Sequence, residues 1–155
     1  FILLLFSFSC FNNDNKTELE ISVDTIFNNK NTILTSNLDS LILITQKHYE
    51  NHDYINVIIN NKIILERDSL NAFAHYTMGF CLSAYGLHYE SIRYFNESIN
   101  LGYRVVDSYF NNGWNYYMIK NHEMAIKCYQ KVLTLTPNDK EAQAKLNMVL
   151  KETKH

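Results

Sequence analysis

Histidine and cysteine have the widest chemical repertoire in this chain, yet neither is spaced as a site. His48 and His52 lie four residues apart near one helix face, the spacing of a metal-binding pair. No third ligand accompanies them, so ordinary packing and turn roles are expected. His75, His88 and His122 stand singly. Cys81 and Cys128 fall in different segments. A bridge between them needs Cα atoms within roughly 7 Å, and two small buried apolar side chains are the expectation. Glu90, Glu97 and Glu123 lie on helix surfaces. The chain shows no nucleophile motif, phosphate-binding glycine loop or supported pair of acids. These residues point to a protein that is not an enzyme and needs no cofactor or metal. The net charge is −2 with no lysine–arginine cluster, which argues against nucleic acid, whose phosphates demand a basic stripe. What remains is recognition by aromatic side chains: 11 tyrosines, 9 phenylalanines and one tryptophan.

These rings recur with a period. Gly79 and Gly113 lie 34 residues apart, and the same step joins Ile58, Ile92 and Ile126, then Leu65, Ile99 and Leu133, then Ile64, Ser98 and Val132. Phe95 and Tyr129 match in that frame, with Asn61 as the odd member. A fixed step of this size marks a stack of helix pairs, none of which buries its apolar face alone. Glycine inside a helix costs roughly 1 kcal/mol, so Gly79 and Gly113 are expected where two helices cross closely. Gly86 and Gly102 are expected at turns.

The stretch Asp107 to Pro137 carries the pattern best, with Tyr109, Gly113, Tyr116, Ala125, Tyr129 and Pro137. The middle unit repeats it with Met78, Gly79, Leu82, Ser91, Phe95 and Ser98. The first does so more weakly, with Leu41, Ile44, Val57, Ile64 and a turn at Ser69, and has Thr45 where glycine would stand. This resembles the tetratricopeptide repeat. His75, Asn112, Asn61 and Tyr103 depart from it, standing where the family prefers an aromatic residue, leucine, an aromatic residue and proline. The resemblance implies an all-α solenoid of three helix-turn-helix repeats, at 38–71, 72–105 and 106–139, plus a capping helix within 139–152.

Local signals place the helices. Ser36 or Asn37 can cap the first, which runs to about Asn51; its partner spans about Tyr54 to Arg67. The middle pair spans about Ala72 to Tyr85 and Tyr89 to Leu101, and the last about Val105 to Ile119 and Glu123 to Leu135. Pro137 stops the last pair. Asp139 can cap a final helix, Lys140 to Lys151, whose apolar face is Ala142, Leu146, Val149 and Leu150 and whose other face meets water.

The resemblance also implies a concave groove lined by the first helix of each pair. Its register assigns Ile42, Gln46 and Tyr49 from the first unit, Phe73, Tyr76, Phe80 and Ser83 from the middle, and Phe110, Trp114, Tyr117 and Met118 from the last. A protein or peptide ligand would meet Phe73, Tyr76, Phe80, Phe110, Trp114 and Tyr117, with Phe80 and Trp114 as anchors. Packing of these rings on one another, or under residues 18–34, is the competing reading. Some family members grip acidic peptide tails with lysine, arginine and asparagine. Here the corresponding positions are Ile42, Gln46, Thr77, Asp107 and Asn111, which supply no cation.

Ahead of the repeats, Phe1 to Phe11 is apolar and lacks a leading methionine and a positive start. It is shorter than the ~20 residues that span a bilayer. It looks like the end of a signal peptide, and Ser7-Phe8-Ser9-Cys10 is similar to the lipobox of bacterial lipoproteins. That similarity implies a signal remnant at 1–9 and a lipidated Cys10 on a polar tether at 10–36. Ser7 and Phe8 depart from the pattern. An ordinary secretory signal and an uncleaved anchor or truncation stay open. A tether of ~25 residues reaches roughly 25–30 Å. Within it, Leu19 to Val23 alternates like a strand, whereas Leu19, Val23, Ile26 and Phe27 fit one face of a short helix docked on the first repeat. The expectation is a binding module at a bacterial envelope membrane, with secreted or periplasmic protein as the alternative location. The alternative function is self-association through the aromatic surface, giving a homo-oligomer that braces an envelope assembly.

Overall fold

The computed structural model describes residues 37–153, and all regular structure there is helical. Seven helices follow in order: α1 (Leu38–Glu50), α2 (Tyr54–Arg67), α3 (Ala72–Ala84), α4 (His88–Asn100), α5 (Val105–Met118), α6 (His122–Leu135) and α7 (Lys140–Glu152). Each boundary lies within a residue of the one expected. Side-chain capping explains much of this accuracy. Asn37, Asp53, Asn71, Asn121 and Asp139 each accept a hydrogen bond from a backbone N–H of the following first turn, satisfying groups that the helix itself leaves open. Asn37, Asn71 and Asp139 recur on the period, but the corresponding residue in the third unit is Val105, the first residue of α5. There the helix is entered through Arg104, which has left-handed backbone (φ 43°) and no capping side chain.

Consecutive helices pack as antiparallel pairs, α1 on α2, α3 on α4 and α5 on α6, and each pair stacks on the next, with α7 against α6. The crossings inside the pairs explain the two helical glycines. A Cβ on Gly79 would lie 3.0–3.2 Å from the Phe95 ring, and one on Gly113 would lie 2.7 Å from Cε1 of Tyr129. Phe95 and Tyr129 are both fully buried, which stabilises each pair by about 1.5–3 kcal/mol per ring. The first pair solves the same crossing differently. Thr45 replaces the glycine and Asn61 the ring, both fully buried. The Thr45 hydroxyl donates to the Leu41 carbonyl at 2.7 Å, and Asn61 donates to Thr77 Oγ1 of the next pair at 2.8 Å. A smaller partner makes room for a larger one.

The turns within pairs use one left-handed residue each: His52 (φ 59°), Gly86 (φ 76°) and Lys120 (φ 63°). These positions also recur every 34 residues. Sequence alone marks only the glycine. Gly102 (φ 71°) serves the turn between pairs, as expected.

A buried polar network joins the middle and last pairs. Asn115 is fully buried. Its Oδ1 accepts from Ser83 Oγ (2.7 Å) and His88 Nδ1 (2.8 Å), and its Nδ2 donates to Ser91 Oγ, which donates to the Gly79 carbonyl. His88, which sequence reading left as a lone histidine, is thus a structural donor here. One expectation is corrected on α7. Ala142, Leu146 and Val149 are buried, but Leu150 remains 36% exposed. Residues 1–36, including Cys10, the tether and the apolar stretch Leu19 to Phe27, lie outside the described residues.

Replacing a helical glycine by alanine normally gains about 1 kcal/mol. At Gly113 the added methyl meets a buried ring with nowhere to move, and overpacking of this kind costs about 1–3 kcal/mol. Gly113→Ala should therefore lower the urea unfolding midpoint, and Gly79→Ala, with its looser contact, should lower it less. A stabilised Gly113→Ala variant would contradict this packing.

Candidate functional site: the concave aromatic face

Helices α1, α3 and α5, the first of each pair, together with α7 place the sequence-predicted residues in three groups. The first is a nest of rings in which Phe80 meets Tyr49 (5.3 Å between centroids) and Tyr54 (5.8 Å) edge to face. Phe80 is half-buried, held between two helices of the first pair. Phe73 is also half-buried, at the start of α3.

The second group closes the far end. Trp114 packs at a tilt on Tyr117 (5.7 Å), and Tyr117 stacks on His122 (5.8 Å). The expected water-facing side of α7 takes part in this group. Lys145 Nζ lies 4.6 Å from the Trp114 ring, and Tyr117 donates to Glu152 at 2.6 Å. A cation over an indole face is attracted by the ring's quadrupole. This hydrogen bond is the first cause of a raised Tyr117 pKa.

Between the two nests lies a polar centre. Tyr76 is buried (5% exposed) and edge-on to Phe95 and Tyr103. Its ring has the Arg104 guanidinium 5.0 Å from its centroid. Burial, then the neighbouring Tyr76, pushes the Tyr49 phenol well up from its ordinary range. Arg104 in turn pairs with Asp107 at 3.3 Å, the two side chains 48% and 50% exposed. Phe110 is half-buried against Tyr129. These residues frame a concave pocket of about 300 Å³ lined by Tyr76, Val106, Asp107, Phe110, Asn111, Asp139 and Glu141. Sequence reading missed Arg104, Asp139 and Glu141 as parts of this face. Only the i,i+3 spacing of Arg104 and Asp107 signals a contact; Asp139 reads as a cap, which it also is.

The candidate metal pair does not assemble. His48 Nδ1 is 2.8 Å from Asp53 Oδ2, and His52 occupies the exposed left-handed turn. Among the described residues no group of three His, Cys, Asp or Glu side chains is placed to hold a metal ion. Cys81 and Cys128 are free and buried. Burial pushes the Cys81 thiol up to about 12 and the Cys128 thiol up to about 11.

With the geometry in place, comparison with known proteins is informative. The tetratricopeptide repeat model matches residues 106–139. No curated protein sequence matches the chain. Among solved structures, the first tetratricopeptide domain of Spaghetti (RPAP3), bound to the HSP90 peptide SRMEEVD, superposes with a TM-score of 0.69 at 19% identity, covering 76% of this chain and 94% of that one. The second such domain of human RPAP3, in complex with the HSP70 peptide SGPTIEEVD, gives 0.64 at 16% identity, covering 71% and 92%. MamA gives 0.68 at 22% identity, covering 75% of this chain and 63% of its own. The described residues therefore have the all-α repeat fold of tetratricopeptide domains, and 106–139 is the unit whose sequence also matches.

A buried thiol with a raised pKa has little thiolate to react. At pH 8, iodoacetamide should leave Cys81 and Cys128 unmodified in the folded protein and alkylate both in urea, as read by peptide mass mapping. Rapid native alkylation of either would contradict their placement.

Proposed function

We propose that the chain is a non-enzymatic scaffold that binds a peptide or protein partner on its concave face, tethered to a bacterial envelope membrane through a lipid on Cys10. The observation that carries the binding reading is the pocket between α3, α5 and α7, where aromatic side chains adjoin polar groups with unused capacity. Asn111 illustrates this capacity: its Nδ2 donates to the Asp107 carbonyl at 2.8 Å, while its Oδ1 remains an acceptor for a ligand N–H. Aromatic side chains lose little entropy when they bind and often dominate interface energetics. The two RPAP3 domains, which hold peptides in solved complexes, support this reading by analogy of fold. Phe73, Tyr76, Phe80, Phe110, Trp114 and Tyr117 are the residues proposed to line the partner's path. Phe80 and Trp114 would present the edges left open by their neighbours, and Tyr76 would contribute ring wall to the pocket.

The tether rests on the similarity of Ser7 to Cys10 to a lipobox. Among the described residues no helix is long and apolar enough to cross a membrane. Diacylation would supply about 0.8 kcal/mol per buried methylene. A second reading, self-association, is favoured by Leu43 (56% exposed) and Ile44 (41%) on α1.

A photo-crosslinking residue placed at Asn111 should capture a defined partner in cells, whereas one at exposed Tyr89 of α4 should not. Capture at Tyr89 alone would move the binding face to the outside of the stack, and capture of a second copy at Leu43 would establish self-association. Cys10→Ser should release the protein from the membrane fraction and remove the lipid mass from its N-terminus; unchanged fractionation and mass would dismiss the tether.

A further inference from the structure

We infer that the pocket between α3, α5 and α7 takes a basic side chain, lysine or arginine, of the bound peptide, and that Arg104, which pairs with the lining residue Asp107, competes with it for that carboxylate. This inference rests on the proposed peptide-binding role of the concave face and specifies the ligand's chemistry.

Three carboxylates line the pocket, and only one is answered by a cation. Asp107 pairs with Arg104. Asp139 uses Oδ1 to cap α7, accepting from the N–H groups of Glu141 and Ala142 at 3.0 and 2.9 Å, and its other oxygen is in no ion pair among the described residues. Glu141, in the exposed first turn of α7, has none either. Tyr76 and Phe110 supply apolar wall beside these charges. Carboxylates next to ring faces suit the apolar stem and charged head of lysine or arginine.

Arg104 demonstrates the fit within the chain. Its guanidinium rests against Tyr76 and reaches Asp107 at once, the two contacts an incoming cation would make. The arrangement is displaceable. An ion pair half-exposed on both sides contributes little, about 0–1 kcal/mol, so a peptide cation that also reaches Asp139 and Glu141 can replace it. The charge complementarity excludes the opposite class of ligand: a peptide rich in glutamate or aspartate would bring like charge to Asp139 and Glu141.

The test uses two fluorescein-labelled decapeptides, alternating leucine with lysine or leucine with glutamate, titrated by anisotropy into the full chain at low and physiological salt. The lysine peptide should bind at least about ten-fold tighter than the glutamate peptide, the preference shrinking with salt. Asp139→Asn/Glu141→Gln, in which asparagine preserves the helix cap, should weaken the lysine peptide about five-fold or more with unchanged helicity. Arg104→Gln should tighten it about two- to five-fold, the worth of a half-exposed ion pair; a merely structural arginine would give no gain. Equal binding of both peptides, or a tighter glutamate peptide, overturns the inference while leaving the groove as a peptide site. No binding of either peptide overturns the inference together with the groove reading. Lysine-peptide binding that ignores both sets of substitutions places the basic site elsewhere on the chain and also overturns it.

Discussion

The structure depends on one close approach, repeated: the backbone of a first helix lies directly under a ring of its partner. A methyl carbon added at Gly113 would lie 2.7 Å from Cε1 of Tyr129, too close to be accommodated without a shift. Such contact draws the paired helices together, which leaves the remaining apolar side chains of each pair facing its neighbour. Stacking follows because no pair can bury that surface alone. The stack also brings parts of the first helices and α7 together, as the pocket lined from α3, α5 and the start of α7 shows.

The first pair shows that the constraint is on summed volume rather than on glycine itself. Thr45 and Asn61 fill the crossing that elsewhere holds glycine and a ring. The exchange brings buried polar atoms, and Asn61 satisfies part of its capacity through Thr77 of the following pair. A substitution inside one pair thus becomes a bond between two.

Much of this was legible in the residues. Capping side chains are local, so helix ends could be read to within a residue, and glycines inside helices announced the crossings. The left-handed turns were half legible: Gly86 declared itself, whereas His52 and Lys120 adopt the same backbone without a residue type that requires it. The surroundings of the six aromatic residues were not legible. Register assigned them to one side of the first helices, but Tyr76 is sealed by Phe95 and Tyr103, and Phe80 is wedged by Tyr49 and Tyr54. These are encounters between distant segments that periodicity cannot state. The part played by α7 was hidden for the same reason. Its polar side reads as solvated, yet Lys145 and Glu152 reach Trp114 and Tyr117. The similarity to solved tetratricopeptide domains reaches the fold, whereas the acidic pocket beside Arg104 belongs to this chain's own residues.

If the glycine–ring crossing organises the stack, Gly113 and Tyr129 must be energetically coupled. The direct measurement is a double-mutant cycle in urea with Gly113→Ala, Tyr129→Leu and the pair together. Leucine removes the ring atoms that the new methyl would strike, so the double variant should be more stable than the sum of the single losses by about 1 kcal/mol or more, within the range of contacting residues. Losses that simply add would show that the two side chains do not constrain each other, and would contradict the account at its base.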